Sequence, residues 1–340
     1  MRTMPELRYR APWWLPGGNL QTIWPALAGR RVDGPPVRFQ RERWTTPDQD
    51  FIDVDWLQAD GPASRPADPS PAPGVRPLLV LFHGLEGSSG SHYAQAFADV
   101  ARSHGAAFAV AHFRGCSGEL NLGPRAYHSG DHEEIDWVLR RFHARHVGPV
   151  LAAGVSLGGN ALMRWAGEMG GSAGASVRAV ASICAPLDLA AGGHAIGRGF
   201  NRQIYTRMFL RTMKPKALRK LQQHPGLFDR DALLRAQDLY DFDNVFTAPL
   251  HGFAHTDDYW ARASAKPHLP DVGIPALVLN ARNDPFVPAA SLPGPGQVSR
   301  WVQLWQPATG GHVGFPQGRF PGHVRAMPAA VGQWLFAHAG

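Results

Sequence analysis

The chain has 340 residues, of which 44% are hydrophobic and 18% charged, so it is not a disordered chain and can bury a large core. Its formal charge of +7 is scattered arginine without an arginine-aromatic module, which argues against nucleic acid as a partner. Two cysteines, Cys116 and Cys184, with no CxxC argue against a disulfide framework or a zinc site, and no apolar run approaches the roughly 18 residues of a membrane span.

Residues 1–35 place Trp13, Trp14 and Trp24 among prolines and glycines, and read as an irregular segment without the apolar stretch of a signal peptide. The expected location is therefore the cytoplasm. Segments 39–46 and 51–57 partly alternate, as an antiparallel pair does. The proline-rich stretch 60–77 reads as a surface loop. Leu78–Phe82 is a continuous apolar run, as a strand buried on both faces requires. A helix follows over 91–103, with Tyr93, Phe97 and Val100 on one stripe and Gly105 beyond its end. The next apolar run is 106–113. Asp131 and Glu134 then open a helix in the manner of a capping box.

Further apolar runs lie at 150–155, 177–185, 276–279 and 302–305, with helices over 157–169 and 328–338. The alternation predicts an α/β fold with an eight-stranded, mostly parallel sheet covered by helices on both faces. Between 186 and 270 no strand-like run occurs, and 202–210 and 231–239 read as helical. That stretch is expected to be a helical lid inserted over the carboxyl edge of the sheet, where α/β proteins bind ligands. The organisation is then an N-terminal segment (1–35), the first part of the core (36–185), the lid (186–270) and the second part of the core (271–340).

The residues LAAGVSLGGN (151–160) place Ser156 between Gly154 and Gly158, with a strand before and a helix after. This is the context of a nucleophile elbow, where glycines permit a turn so sharp that the serine hydroxyl stands above the sheet. A serine needs a base, and the base needs an orienting carboxylate. Asp284 follows the fifth parallel run and His312 the sixth, so both fall on the same sheet edge as Ser156, in the chain order that this architecture uses. Asp257 and Asp258 are alternative orienting groups. The backbone N–H of Leu157 and that of Leu85, in the loop after the first core run, are the expected oxyanion donors. His83, in the same loop, is expected to brace it. The chemistry requires no cofactor and no metal.

The stretches HGLEGSSGSHY (83–93), HFRGCSGELN (112–121), RAYHSG (125–130), GVSLGGN (154–160), NDPF (283–286) and GGHVGF (310–315) resemble the α/β-hydrolase fold, and within it the YheT-like (AB-hydrolase-4, EMB8-like) family of serine esterases. LQTIWP (20–25) and DFDNVFTAPLHGF (241–253) fit the same pattern. The resemblance implies a serine hydrolase acting on carboxylic esters, short acyl esters and monoacylglycerols among them, through a triad of Ser156, Asp284 and His312. The partner is then a small-molecule ester or lipid, with no integral membrane segment.

An acyltransferase would use the same triad, and a ligand receptor of the same fold typically lacks one of its members. The loop Tyr127-His128-Ser129-Gly130 reads as structural. Phe200, Tyr205, Phe209 and Trp260 are candidates to line an acyl pocket. Arg211, Lys214, Lys216, Arg219 and Lys220 read as a solvated helix face rather than an anion contact. In the family's strand order the strands carrying Cys116 and Cys184 are three steps apart, roughly 14 Å, so both thiols are expected to be free.

Overall fold

The computed structural model describes residues 6–58 and 76–340. Apart from Arg76 and Pro77, the proline-rich stretch lies outside them. Strands β1 (Phe39–Thr45) and β2 (Phe51–Leu57) form the antiparallel pair. The core strands are β3 (Leu78–Phe82), β4 (Ala107–Ala111), β5 (Val150–Val155), β6 (Ala179–Ile183), β7 (Ala276–Leu279) and β8 (Val302–Trp305). They build one eight-stranded sheet in the order β1-β2-β4-β3-β5-β6-β7-β8. β2 pairs antiparallel with β4, and every pair from β4 to β8 is parallel.

The apolar runs are continuous because both faces of the sheet are covered. Leu78, Val80 and Phe82 face one core with Trp44, Phe142 and Trp165, while Leu79 and Leu81 face the other with Phe97 and Trp334. Helices α2 (His92–Ser103), α3 (His132–Arg145) and α4 (Leu157–Met169) account for much of that cover, together with the C-terminal helix Ala326–Phe336, whereas α1 (Gly17–Ala28) adds no side chain to either core. In β2 the buried, alternating aspartates are each paired with an arginine. Asp53 meets Arg43 at 2.8 Å, and Asp55 meets Arg41 and His112, each at 2.8 Å.

The registers bring the carboxyl ends of the core strands into line. Phe82 is opposite Gly154, Val155 opposite Ile183, and Ile183 opposite Leu279. Loops that leave these strands therefore share one edge. The two cysteines are both free. They flank β4 and β6, which lie three strands apart in the sheet.

The N-terminal segment departs from expectation, since Gly17–Ala28 is a helix despite Pro25 within it. Its propensity is poor, and tertiary contacts described below hold it in place. Between β6 and β7 there is no strand. The chain there runs through α5 (Leu189–Ile196), a long helix that starts at Gly199, passes a wide turn at Arg202–Thr206 and continues as Arg207–Gln223, and shorter helices that include Arg230–Arg235 and Thr256–Ala263. No described helix is long and apolar enough to cross a membrane.

Candidate active site

Ser156 sits between β5 and α4 with φ 53° and ψ −117°. A non-glycine residue in this region is strained by about 1–3 kcal/mol and persists only where its surroundings enforce it. Here the chain is clamped. Ser156 N–H donates to Ile183 O at 2.8 Å. A Cβ at Gly158 would come within 2.5 Å of His83 O and 2.6 Å of Phe82 O, so only glycine lets α4 start this close to β3.

His312 Nε2 lies 3.0 Å from Ser156 Oγ, and His312 Nδ1 lies 2.8 Å from Asp284 Oδ2. The other oxygen of Asp284 accepts the N–H of Phe286 at 2.8 Å and that of Val287 at 3.3 Å. The carboxylate is thus fixed as the acceptor for Nδ1–H, which leaves Nε2 with its lone pair toward the serine. The Phe286 ring packs on the imidazole with centroids 4.2 Å apart. Asp257 and Asp258 lie instead in the first turn of Thr256–Ala263, where Asp257 accepts from Tyr240 Oη at 2.8 Å.

The loop after β3 runs beside the serine, since a Cβ at Gly84 would lie 3.2 Å from Ser156 Cβ. Buried His83 ties it down. His83 Nε2 accepts from Phe113 N–H at 3.1 Å, so Nδ1 carries the proton and donates to Gly84 O at 2.8 Å. Burial lowers the His83 pKa to about 3, which keeps the ring neutral. Within the loop, Gly84 N–H donates to Tyr93 Oη, Glu86 N–H to Tyr127 Oη and Gly87 N–H to Gly84 O. Among the described residues the N–H groups of Leu85 and Leu157 have no acceptor, and both residues line the same cavity as Ser156 and His312.

Two residues of α1 that no local pattern marks hold the two loops together. Gln21 Oε1 accepts from Asn283 Nδ2 at 2.9 Å and from Gly310 N–H at 3.0 Å. Thr22 Oγ1 accepts the N–H of His312 at 2.8 Å. Helix α1 is therefore a brace across the Asp284 and His312 loops. The motif LQTIWP is the available signal, but nothing local says that its amide and hydroxyl face loops 262 to 290 residues away. Thr22→Val strands the buried N–H of His312. It should cost about 1–3 kcal/mol in denaturant unfolding and lower kcat for a soluble ester about tenfold. Unchanged values of both would remove the bracing role.

The cavity above Ser156 has mostly apolar walls, among them Leu189, Ile196, Phe209, Met213, Phe246 and Trp260. Of the four aromatic candidates, Phe209 and Trp260 line it. Phe200 does not, being 55% exposed, and Tyr205 packs behind it on Phe286 and donates to Asn19. The Tyr127-His128-Ser129 loop also reaches the wall. Tyr127 Oη donates to Glu86 at 2.8 Å, and Ser129 N–H donates to Tyr259 Oη at 2.9 Å.

The solvated-face reading of the basic stretch is corrected at three lysines. Lys220 is buried and donates to the carbonyls of Asn121 and Gly123 at 2.7 and 2.8 Å. Burial lowers its pKa to about 8. Lys216 pairs with Glu86 at 2.6 Å in the cavity wall, and Lys214 caps the carbonyls of Leu234 and Ala236. The helix packs its lysines inward because the segments beneath it present carbonyls and a carboxylate as acceptors.

Asp243 is a further wall residue that the sequence did not mark. It accepts from Thr247 Oγ1 at 2.6 Å and Trp260 Nε1 at 2.9 Å. Burial raises its carboxyl to about 6. The folded protein then holds a proton that the unfolded chain has released. Stability falls as pH rises from about 4 through about 6, by up to about 3 kcal/mol. Asn can keep both bonds without the charge. Asp243→Asn should therefore gain on the wild type in denaturant midpoint between about pH 4 and pH 7. A difference that does not change with pH would show that this carboxyl is not the cause.

A serine on a strand-to-helix turn, backed by histidine and aspartate from later loops of a mostly parallel sheet, is the arrangement of the α/β-hydrolases. The family model for the alpha/beta hydrolase fold matches residues 77–318. The chain is 35% identical over 321 residues to the putative esterase YheT of Escherichia coli, covering 93% of this chain and 89% of that protein. It is 31% identical to the mouse phospholipase ABHD3, covering 89% and 72%. Among solved structures, the Pyrococcus furiosus esterase Pf2001 superposes with a TM-score of 0.53 at 15% identity over 92% of this chain and 99% of that one, a likeness of fold alone. The chain belongs to the α/β-hydrolase family, in its YheT-like branch.

Proposed function

We propose that this protein is a carboxylic ester hydrolase in which Ser156 is the nucleophile, His312 the general base and Asp284 the orienting carboxylate. The observation that carries the reading is the continuous pair of bonds from Ser156 Oγ to His312 and on to Asp284, at 3.0 and 2.8 Å. His312 takes the serine proton as Oγ attacks the ester carbonyl. The developing oxyanion is met by the N–H groups of Leu85 and Leu157, with the N-terminal end of α4 adding its dipole. His312 then protonates the leaving alcohol, and water, activated by the same histidine, releases the acid from the acyl-enzyme. No metal or organic cofactor enters these steps.

The segment 186–270 serves in this reading as the lid. Its apolar side chains at the cavity wall suit a short- to medium-chain acyl group, monoacylglycerols included. The setting is the cytoplasm, where thiols such as Cys116 and Cys184 stay reduced. The test is labelling with a fluorophosphonate followed by a panel of acyl esters from acetate to laurate. Labelling on Ser156 and turnover that favours apolar over charged acyl groups support the reading. Equal turnover of charged and apolar acyl esters would overturn the lid-lined pocket, and acyl transfer outrunning hydrolysis with added alcohols would reassign the reaction.

A further inference from the structure

The helix that walls the cavity has a second face, and that face has no partner among the described residues. Phe200, Ile204 and Met208 recur every fourth residue and are 55%, 42% and 52% exposed. Arg207 and Arg211 are exposed within the same run, and Arg198 and Arg219 are exposed at its two ends. None of these four arginines has a carboxylate partner among the described residues. Elsewhere arginines such as Arg41, Arg43, Arg114 and Arg125 are paired with acids. The local sequence explains the difference. Between Asp188 and Asp229 there is no Asp or Glu, against eight Arg and Lys.

Large apolar side chains interleaved with unpaired arginines on one exposed helix face match the chemistry of an anionic lipid surface. The apolar groups enter the acyl boundary while the guanidiniums pair with phosphates. The opposite face of the same helix carries Phe209, Met213 and Ala217 into the cavity wall. Seating one face on a bilayer therefore sets the cavity directly behind the lipid. We propose that the Gly199–Gln223 helix docks this protein peripherally on an anionic membrane surface, from which its ester substrates are taken. The supply of substrate from that surface rests on the ester-hydrolase reading, whereas docking does not.

The test is co-sedimentation with vesicles of phosphatidylcholine alone and of phosphatidylcholine with phosphatidylglycerol, beside hydrolysis of dissolved p-nitrophenyl acetate. Wild-type protein should sediment with the anionic vesicles, and partition into them should fall as salt is raised. The triple variant Phe200→Gln, Ile204→Gln, Met208→Gln and the double variant Arg207→Glu, Arg211→Glu should each lose about tenfold or more in partitioning. Both should hydrolyse the dissolved ester at the wild-type rate, which also shows that they fold. Their rate on a monoacylglycerol held in anionic vesicles should fall with the partitioning.

Wild-type protein that cleaves the dissolved ester but ignores anionic vesicles overturns the proposal. So does a triple variant that binds as the wild type does, or a wild-type dimer, seen by sedimentation, that the triple variant abolishes. Vesicle binding without turnover of any ester would instead sink the hydrolase reading and leave the docking intact.

Discussion

Replacing Ser156 with alanine should lower ester turnover by on the order of a millionfold and abolish fluorophosphonate labelling, while the protein stays folded. The substitution removes one oxygen from a position whose backbone is set by its neighbours. The φ of 53°, the Ser156 N–H bond to Ile183 O and the packing of Gly158 against Phe82 O and His83 O do not involve the hydroxyl. Stability should change by less than about 1 kcal/mol, because the only bond lost is that to His312 Nε2 on the rim of the cavity. Unfolding midpoints and labelling on the same preparation separate loss of chemistry from loss of fold. Labelling of a different serine in the variant, or residual turnover above about a hundredth of wild type, would remove Ser156 from its role.

Asp284→Asn should cost about ten-thousandfold in kcat with the fold unchanged. One oxygen of Asp284 is held by the N–H groups of Phe286 and Val287, and an asparagine oxygen will keep that place because the amide nitrogen cannot accept. The amide N–H then points at His312 Nδ1 and demands a lone pair there. The imidazole proton moves to Nε2, and the ring can no longer take the proton of Ser156. The positive charge that develops on the ring also loses its counter-charge. A kcat measurement on a soluble ester with a parallel fluorophosphonate rate will show the loss in both. A loss of less than tenfold would mean that another carboxylate orients the histidine.

Much of the fold and the candidate triad could be read locally. Strands buried on both faces announce themselves as unbroken apolar runs such as Leu78–Phe82, and Gly154-x-Ser156-x-Gly158 carries its strand and its helix within ten residues. Chain order then selected Asp284 and His312 from many acids and histidines, because each lies in the loop that follows an apolar run. What could be read this way depends on backbone geometry within a few residues, where sequence and structure are nearly the same information.

The rest was decided by contacts between distant segments. Residues 17–28 contain two glycines and a proline and have little reason to be helical alone, yet they form α1 because Gln21 and Thr22 meet Asn283, Gly310 and His312. By local pattern Glu134 is half of a capping box. The Asp131 side chain does accept from Glu134 N–H, but the Glu134 carboxylate turns to Arg114 at 2.5 Å, a partner that a local pattern does not reveal. Along the Gly199–Gln223 helix, Phe200 faces outward while Phe209 and Lys216 face the cavity, and Lys220 is buried under carbonyl oxygens. By itself the sequence determined the strands, their order along the chain and the turn that presents Ser156. Only the tertiary structure decided which face of each helix between β6 and β7 is wet and what braces His312, because desolvation and hydrogen-bond satisfaction depend on groups that meet across the fold.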